Sequence, residues 1–313
     1  MKVSVIMSVY RRVEYLEEAI NSVLEQTFSN IELIIVNSQD NIESLDEVGI
    51  KLKSCYSKDE RIKLFILGYQ NISESWNAAI RFSTGDFIAV MGSDDLWEKD
   101  KIEKQIKILN LFPDKIIWTE GKVINKKGEY TGYFFSEIYS SGINIGKVCS
   151  NYRDRLMMGN FIPSQSLMFN INIAKHIWFD ENLPLYSDYK FLLDASETYD
   201  FFHMDEKLFS YRLHNSNVTN NGSKQWLSEL VSIEKIKLEM IKSKGSKEAN
   251  FIKAFINTKL AIHYLREKNI KEFVKNFKMA IRLNIVSFIL YIAFNIPYTI
   301  TRLKIIQRII REE

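Results

Sequence analysis

The fold is decided by the stretch Gly85-Asp86-Phe87-Ile88-Ala89-Val90-Met91-Gly92-Ser93-Asp94-Asp95-Leu96-Trp97. Its central part, residues 87–91, is short and wholly apolar, which is typical of a strand buried on both faces of a parallel sheet. This run leads directly into a glycine, a serine and two adjacent aspartates. Because ligands bind at the carboxyl ends of strands in open α/β sheets, the stretch predicts both a parallel sheet and a site at its edge.

The paired carboxylates of Asp94 and Asp95 allow two interpretations. Adjacent carboxylates repel each other, so one interpretation is that they share a divalent cation that carries a phosphate ester. The other is a solvated turn in which one aspartate caps a helix that begins near Trp97. These residues alone do not decide between the two.

Three other buried strands precede this stretch, and helical patterns alternate with them. The strands are predicted at residues 3–9, 31–36 and 61–67, and the alternation indicates a parallel sheet with right-handed crossovers. If the strand order is 3-2-1-4, the loops that follow strands one, two and four converge. These loops hold residues 8–12, 37–40 and 93–95, and together they form one nucleotide-sized pocket.

The pattern changes after a helix predicted at 98–112. Short strand-like pieces broken by glycines predict a mixed or antiparallel extension, and further elements follow at 165–169, 187–195 and 207–212. The glycines are Gly121, Gly128, Gly132 and Gly142. From about Gln225 the chain is predicted to be helical, with helices near 226–243, 247–268 and 270–283. The predicted domains are an α/β domain of residues 1–224, with halves 1–113 and 114–224, and a helical region of residues 225–313.

Composition limits the possible compartments and partners. The chain has 313 residues and a net charge of +3, which is too small to indicate nucleic-acid binding. Its two cysteines, Cys55 and Cys149, do not make a disulfide framework. The N-terminus enters a strand pattern at once and leaves no room for a signal peptide, so a cytoplasmic location is expected.

The last predicted segment, 285–311, combines an apolar run with a basic amphipathic end. Residues 285–301 are almost uncharged, and four cations follow, at Arg302, Lys304, Arg308 and Arg311. This pattern predicts a peripheral, in-plane anchor on the inner face of the cytoplasmic membrane. The alternative is that the segment packs on the protein's own core or on a second subunit.

The first 220 residues contain several short motifs. The early ones are Val3-Ser4-Val5-Ile6-Met7-Ser8-Val9-Tyr10, Tyr15-Leu16, Ser22-Val23-Leu24-Glu25-Gln26-Thr27, the strand 31–36, Thr84-Gly85-Asp86-Phe87-Ile88 and Ser93-Asp94-Asp95-Leu96-Trp97. The later ones are Pro163-Ser164-Gln165-Ser166, Ser187-Asp188-Tyr189 and Tyr211-Arg212-Leu213-His214. In this order and spacing they resemble family 2 glycosyltransferases.

The resemblance implies a GT-A fold, which is a Rossmann-like α/β domain with a mostly parallel central sheet and helices on both faces. It also implies a nucleotide-sugar donor, Mn²⁺ or Mg²⁺ as cofactor, and inversion at the anomeric carbon. The residues that it places around the nucleotide sugar are Ser8, Val9, Tyr10, Arg12, Asn37, Ser38, Asn77, Ser93 and Asp94.

Asp94 and Asp95 match the Asp-x-Asp-type motif of this family. Asp95 is expected to hold the metal against the donor diphosphate, with Asp94 beside it or supporting the ribose. A cation there stabilises the charge that accumulates on the departing nucleoside diphosphate. His214 is the candidate for completing the metal shell, and the alternative is an ordinary core or surface histidine.

Asp188 matches the catalytic base of the family, which takes the proton from the acceptor hydroxyl. A positioned base contributes roughly 10²–10⁴-fold to the rate. The alternative is a first-turn acid after an N-cap Ser187, where it stabilises the helix through the helix dipole. Both roles are compatible.

Four positions depart from the family pattern. Asn37-Ser38 stands where two aspartates are common, and because an aspartate there would accept the N3–H of uracil, base preference is left open, with a UDP-sugar as first choice. Gly92 stands at the usual first acid, and Ser187 at the glutamate that often precedes the base. Trp76 replaces an arginine that commonly contacts the diphosphate.

The function predicted from the sequence is an inverting, metal-assisted glycosyltransferase. It would move a sugar from a nucleotide-sugar donor to a hydroxyl of a glycan or lipid-linked acceptor, in cell-surface polysaccharide or lipopolysaccharide biosynthesis. The alternative, prompted by Asn37-Ser38 and Trp76, is a non-catalytic GT-A-like module that scaffolds a polysaccharide assembly complex. A nucleotidyltransferase is disfavoured because the first loop lacks the glycine-rich, basic composition that such chemistry favours.

Overall fold

A computed structural model describes residues 1–11, 13–56, 58–68, 70–139, 151–217, 224–241 and 246–311. The chain forms two compact units. The first comprises Met1–Glu137 and Ile162–His214, and the second comprises Ile138–Phe161 and Asn215–Glu313. The domain boundary predicted at residue 224 stays a prediction.

The first unit is built on a single mixed sheet. Its strands are β1 (Val3–Val9), β2 (Ile31–Gln39), β3 (Ile62–Gly68), β4 (Phe87–Met91), β5 (Leu96–Trp97), β6 (Ile116–Ile124), β7 (Tyr130–Phe134), β8 (Met168–Asn170) and β9 (Phe201–Arg212). In the described part of the chain they run in the order β3-β2-β1-β4-β8-β6-β9-β5, with β7 paired to β6. The predicted order 3-2-1-4 and the mixed extension beyond it are confirmed.

The helices alternate with the strands in the first unit and follow one another in the second. They are α1 (Leu16–Leu24), α2 (Glu47–Tyr56), α3 (Ile72–Phe82), α4 (Lys101–Leu111), α5 (Phe135–Tyr139), α6 (Tyr152–Met158), α7 (Ile171–His176), α8 (Ser187–Ala195), α9 (Lys224–Met240), α10 (Lys247–Arg266), α11 (Ile270–Leu283), α12 (Ile285–Leu290) and α13 (Ile296–Arg311). A 3₁₀ turn spans Ser164–Ser166, and a π-helical turn, Tyr291–Asn295, joins α12 to α13.

The four parallel strands bring their carboxyl ends to one edge of the sheet. β1 is paired in parallel with β2 and with β4, so that Val9 lies opposite Asn37 and Met7 opposite Met91. All five residues of β4 are buried, as expected for a strand covered on both faces. The loops after β1, β2 and β4 therefore start side by side.

Two local predictions about this edge are wrong. β2 continues to Gln39 instead of ending at residue 36, because its polar end finds buried partners; the Ser38 hydroxyl, for example, donates to the Gln70 carbonyl oxygen at 3.0 Å. No helix begins near Trp97, since Trp97 pairs with Phe209 of β9 and α4 starts at Lys101. Neither Asp94 nor Asp95 is therefore a helix cap.

Two of the glycines that were predicted to break strands after residue 115 lie inside strands instead. Gly121 does not interrupt a strand but lies inside β6, against the ring of Phe209. A methyl group there would lie 2.3 Å from the ring, so only glycine fits. Gly128 adopts a positive φ of 82° in the turn between β6 and β7, and Gly132, inside β7, has a positive φ of 85°.

The second unit is helical in its described residues from 224 onward. A buried ion cluster links α9 to α10, with Lys237 Nζ 2.7 Å from Glu234 Oε2 and Lys259 Nζ 3.1 Å from Glu234 Oε1. The chain from α12 to α13 contains one helix, Ile285–Ile310, that by length and composition is long and apolar enough to cross a membrane.

Candidate active site

The two carboxylates of the opening stretch lie directly after β4 and converge on one turn. Asp95 is buried, with 3% of its surface exposed, and Asp94 is half-buried. A methyl group on Gly92 would lie 2.7 Å from Asp95 Oδ2 and 3.2 Å from Asp94 Oδ1. Because contacts that short are repulsive, glycine allows both carboxylates to close over the turn. The departure from the family pattern at Gly92 therefore has a steric reason.

Arg212, the last residue of β9, fixes this turn from the opposite side. Its backbone N–H donates to Asp95 Oδ1 at 3.0 Å, and its Nε donates to the Asp94 carbonyl oxygen at 3.0 Å. Nη1 donates to the Lys126 carbonyl oxygen at 3.1 Å, and Nη2 donates to Glu18 Oε2 at 2.7 Å. The side chain is fully buried, so the rigid guanidinium fork joins three separate segments.

His214 and Tyr15 complete the cluster around the turn. His214 Nε2 lies 3.0 Å from Asp94 Oδ2, and the histidine is 5% exposed. The Tyr15 ring lies 5.1 Å from the His214 ring, between centroids, and 4.5 Å from the Arg212 guanidinium carbon. The start of α1, the turn after β4 and the end of β9 thus meet in one packed cluster.

Burial and charge repulsion both act on the Asp95 carboxylate. Burial raises the pKa of Asp95 well above its ordinary value, and the adjacent Asp94 charge raises it further. The Arg212 N–H and charge act in the opposite direction but do not cancel the burial. A cation bound beside Asp95 would stabilise its charged form and so counteract both effects.

The residues present fit Mn²⁺ or Mg²⁺ held together with a phosphate-bearing ligand. Asp94 and Asp95 supply carboxylate oxygens, which suit these cations. His214 Nε2 lies within hydrogen-bond distance of Asp94, and its predicted role as a metal ligand stays a prediction. Within the described residues, no three His, Cys, Asp or Glu side chains form a cage by themselves. That agrees with magnesium sites that use one or two carboxylates and leave the remaining positions to substrate phosphates and water.

The loops after β1 and β2 are joined at the same edge of the sheet. The Tyr10 hydroxyl donates to Asp40 Oδ1 at 3.1 Å, and the Arg11 guanidinium pairs with the same carboxylate and lowers its pKa. Ser8 is half-buried and Val9 buried beside them. Of the donor residues predicted here, Arg12 lies outside the described residues.

Asn37 and Ser38 are both fully buried at the end of β2. Asn37 Nδ2 donates to Asp46 Oδ1 at 2.8 Å, and no partner is found for its Oδ1 among the described residues. Ser38 Oγ is tied to the loop after β3 through Gln70. Asn37 therefore holds a buried acceptor atom at the sheet edge, whereas Ser38 has a structural role.

Asn77 is engaged away from the aspartates. Its Nδ2 donates to the Phe179 carbonyl oxygen at 2.9 Å and to Glu181 Oε1 at 2.8 Å, and its Oδ1 accepts the Phe179 N–H at 3.0 Å. The neighbouring Trp76 ring packs on Phe179, with centroids 4.8 Å apart. The predicted contact of Asn77 with the nucleotide sugar stays a prediction. In this structure the Asn77 amide binds residues 179–181.

Asp188 stands in the first turn of α8 and is half-buried. Its Oδ1 accepts the Tyr189 N–H at 2.6 Å. The N-cap is Tyr186, so the predicted N-cap role of Ser187 is wrong; Ser187 is instead buried inside the helix with an unpartnered Oγ in the described structure. Asp188 thus lies beyond the segment that Asn77 holds.

The Pro163–Ser166 motif is fixed to the opening stretch. Trp97 Nε1 donates to the Gln165 carbonyl oxygen at 2.9 Å, and Gln105 Nε2 donates to the Ser166 carbonyl oxygen at 2.8 Å. Gln165 Nε2 is buried with no partner among the described residues. Trp97 therefore couples the motif after residue 163 to the turn that carries the aspartates.

No role was predicted for Glu18, Tyr15 or Arg212, although Tyr15 and Arg212 lie in two of the quoted motifs. A polar or charged residue at the end of an apolar strand pattern is the only local signal that Arg212 offers. Its partners are up to 194 residues away in the chain, at Glu18, so only the tertiary structure shows what it joins.

Comparisons with known proteins identify relatives and structural neighbours. A family model described as Glycosyl transferase family 2 matches residues 4–163. An uncharacterized glycosyltransferase of Rickettsia typhi is 30% identical over 265 residues, covering 78% of this chain and 76% of that protein. The chain covers only 23% to 32% of the length of three other Rickettsia glycosyltransferases that it matches.

Two solved structures have a similar fold. S. aureus TarS in complex with UDP-GlcNAc has a TM-score of 0.62 and 16% identity, over 90% of this chain and 81% of that one. The mannosyltransferase PcManGT from Pyrobaculum calidifontis, in complex with GDP-Man and Mn²⁺, has a TM-score of 0.57 and 14% identity, over 97% and 85%. At such identities the likeness shows the fold alone, and the predicted GT-A architecture is confirmed.

Proposed function

Because the chain belongs to glycosyl transferase family 2, we propose that it transfers a sugar from a nucleotide-sugar donor to a hydroxyl group of an acceptor. One observation carries the proposal. Asp94 and Asp95 close over the carboxyl end of β4, where Arg212 and His214 hold them in place. In an open α/β sheet this is the edge at which a nucleotide binds.

The turn after β4 is proposed to hold the leaving group. When bound, Mn²⁺ or Mg²⁺ supplies positive charge beside the diphosphate, whose charge grows as the sugar departs. Asp94 and Asp95 are the residues that would hold this ion, with His214 orienting Asp94. Arg212 holds the Asp95 carboxylate through its backbone N–H and the Asp94 main chain through its Nε.

Asp188 is proposed to act on the acceptor. A single displacement by the acceptor hydroxyl inverts the anomeric carbon, and the hydroxyl proton must leave as the new bond forms. Asp188 stands in the first turn of α8, and its carboxylate is the proposed acceptor of this proton. Its Oδ1 is oriented by the Tyr189 N–H.

Asn37 bears on the choice of base. Its amide nitrogen is committed to Asp46, which leaves Oδ1 as an acceptor. Uracil presents an N3–H donor to such an oxygen, so a UDP-sugar remains the first choice. The neighbours solved with UDP-GlcNAc and with GDP-Man bind donors of two base types.

For the acceptor we propose a glycan or lipid-linked hydroxyl of cell-surface polysaccharide or lipopolysaccharide, with the enzyme in the cytoplasm. The alternative is a non-catalytic GT-A-like module that scaffolds a polysaccharide assembly complex. One observation favours it. Trp76 stands where a diphosphate-binding arginine is common, and its buried Nε1 has no partner among the described residues.

A panel of nucleotide sugars tests the proposal, with metal-dependent hydrolysis and transfer as readouts. Asp188→Asn is expected to lower kcat by about 10²–10⁴-fold while donor affinity, measured by calorimetry, survives. The matched control is Asp200→Asn, which neutralises an aspartate whose side chain is 85% exposed. Absence of metal-dependent turnover with every donor would favour the scaffold, and unchanged turnover of Asp188→Asn would remove Asp188 as the base.

A further inference from the structure

The helices α11 to α13 expose an unusual number of large apolar side chains. Each of the following is at least 36% exposed: Ile270, Val274, Met279, Ile281, Ile285, Val286, Ile289, Ile292, Phe294, Ile296, Ile300 and Leu303. Scattered single residues of this kind are normal on a soluble protein, but a contiguous apolar face marks an interaction surface. We call this set the apolar face.

The buried side of these helices includes polar side chains as well as apolar ones. Asn276, Ser287 and Asn295 are buried. Ser287 Oγ donates to the Phe251 carbonyl oxygen at 2.8 Å, and Asn276 Nδ2 donates to the Glu272 carbonyl oxygen at 2.8 Å. Many large apolar side chains of the same helices are exposed instead, so the apolar face favours an apolar environment outside the chain.

A stripe of cations runs along α11 beside its apolar residues. Lys271, Lys275, Lys278 and Arg282 are spaced by four, three and four residues and are all exposed. This spacing places them on one side of the helix, next to the stripe that contains Val274. A helix with an apolar stripe bordered by long basic side chains suits a lipid interface, where the alkyl stems lie along apolar surface and the charges reach the headgroups.

Charge identifies the partner as anionic. Residues 273–311 contain seven Lys and Arg and no Asp or Glu, whereas the whole chain has a net charge of only +3. A second copy of this chain would bring the same cations against one another. An anionic bilayer supplies the opposite charge together with an apolar layer.

The exposed side of α13 changes from mostly apolar to polar after Leu303. Up to Leu303 it is apolar, but Lys304, Gln307 and Arg308 are exposed after it, while Ile306 and Ile309 are buried. The preceding part is held on its own unit, since the Tyr291 ring packs on Phe255 with centroids 4.9 Å apart. A helix attached in this way lies along the unit rather than crossing a bilayer by itself.

We propose that α11 to α13 form a docking surface for an anionic phospholipid bilayer, with the apolar face at the acyl-chain boundary and the cations at the headgroups. This extends the predicted anchor of residues 285–311 backwards to α11. Little of the apolar stretch within Ile285–Ile310 is buried by the protein, which leaves it available to lipid.

Vesicle flotation of the full chain tests the proposal. The vesicles are phosphatidylcholine alone and phosphatidylcholine mixed with phosphatidylglycerol. The variant Lys271→Gln/Lys278→Gln/Arg282→Gln is expected to bind the anionic vesicles on the order of 100-fold more weakly, from about 1 kcal/mol per cation near the surface. The matched control removes three exposed cations of the first unit, as Lys53→Gln/Lys99→Gln/Lys107→Gln, and is expected to bind as the unaltered chain does.

A second variant tests the apolar contribution. Val274→Ser/Ile281→Ser/Ile289→Ser changes exposed side chains only, so the circular dichroism melt should be preserved while anionic-vesicle binding falls at least about tenfold. Equal binding of the unaltered chain to both kinds of vesicle would overturn the proposal. So would a dimer in sedimentation that this variant converts to monomer, because the face would then be a subunit interface. The assay needs neither donor nor acceptor, so its failure leaves the proposed transferase activity untouched.

Discussion

Replacing Arg212 by lysine should destabilise the first unit and loosen the turn that carries Asp94 and Asp95. The guanidinium makes three hydrogen bonds, to the Asp94 and Lys126 carbonyl oxygens and to Glu18 Oε2. A lysine ammonium keeps the charge but cannot reproduce the fork, so we expect it to pair with the exposed Glu18 carboxylate and to lose both carbonyl oxygens.

The expected magnitude follows from the two bonds that are lost. A hydrogen bond to a charged group contributes about 1.5–3 kcal/mol, so losing two costs about 3 kcal/mol at the lower end of that range. The Glu18 bond contributes little to this sum, because the Glu18 side chain is 57% exposed and surface pairs are worth about 0–1 kcal/mol. A loss of about 3 kcal/mol corresponds to a decrease in Tm of roughly 6–12 °C for a cooperative unit of about 150–250 residues.

Urea unfolding followed by tryptophan fluorescence measures the loss, and calorimetry with nucleotide and Mn²⁺ measures donor binding. The matched control is Glu18→Gln, which removes only the exposed partner and should cost under about 1 kcal/mol. The reasoning is refuted if Arg212→Lys unfolds within about 1 kcal/mol of the unaltered chain. It is equally refuted if Glu18→Gln accounts for the whole effect.

Two other predictions concern single residues in each unit. Gly92→Ala places a methyl group 2.7 Å from Asp95 Oδ2, so it should weaken metal-dependent donor binding at least about tenfold in calorimetry, and unchanged binding would contradict the steric reading of the turn. Burial lowers the pKa of Lys237 from its ordinary 10.5 to about 7, so between these values the unfolded state binds more protons and stability should rise with pH. Lys237→Met should flatten this rise in thermal unfolding measured from about pH 7 upward, and a rise that persists in the variant would assign the dependence to another group.

The parallel core could be predicted because its strands are uninterrupted apolar runs. Residues 87–91 have no polar face to expose, so they form a strand covered on both sides, and the alternating helices then restrict the topology. α2 was missed for the opposite reason. Its residues 47–56 contain a glycine and show no clear apolar period, and its packing against the sheet is what stabilises it.

The features of the candidate site also fall into two groups, those that the sequence predicts and those that only the structure identifies. Asp94 and Asp95 were identifiable because two acids after a buried strand have few structural explanations, and Asp188 because it heads a helix. The burial that raises the pKa of Asp95 was not predictable, since it arises from tertiary packing, and neither was the opposing bond from Arg212, 117 residues further along the chain. Likewise, the partners of Asn77 at residues 179 and 181 have no signature near Asn77 itself.

By itself, the sequence determined the strands, their parallel pairing and the edge at which the paired aspartates lie, because apolar periodicity fixes local backbone structure and the side that must be buried. It also showed that residues 285–311 are apolar and basic. Only the tertiary structure decided that the turn of Asp94 and Asp95 is clamped by Arg212, and that α11 to α13 leave a set of large apolar side chains exposed. Periodicity shows that a helix has two faces, but which face is buried depends on the partner that the rest of the chain supplies.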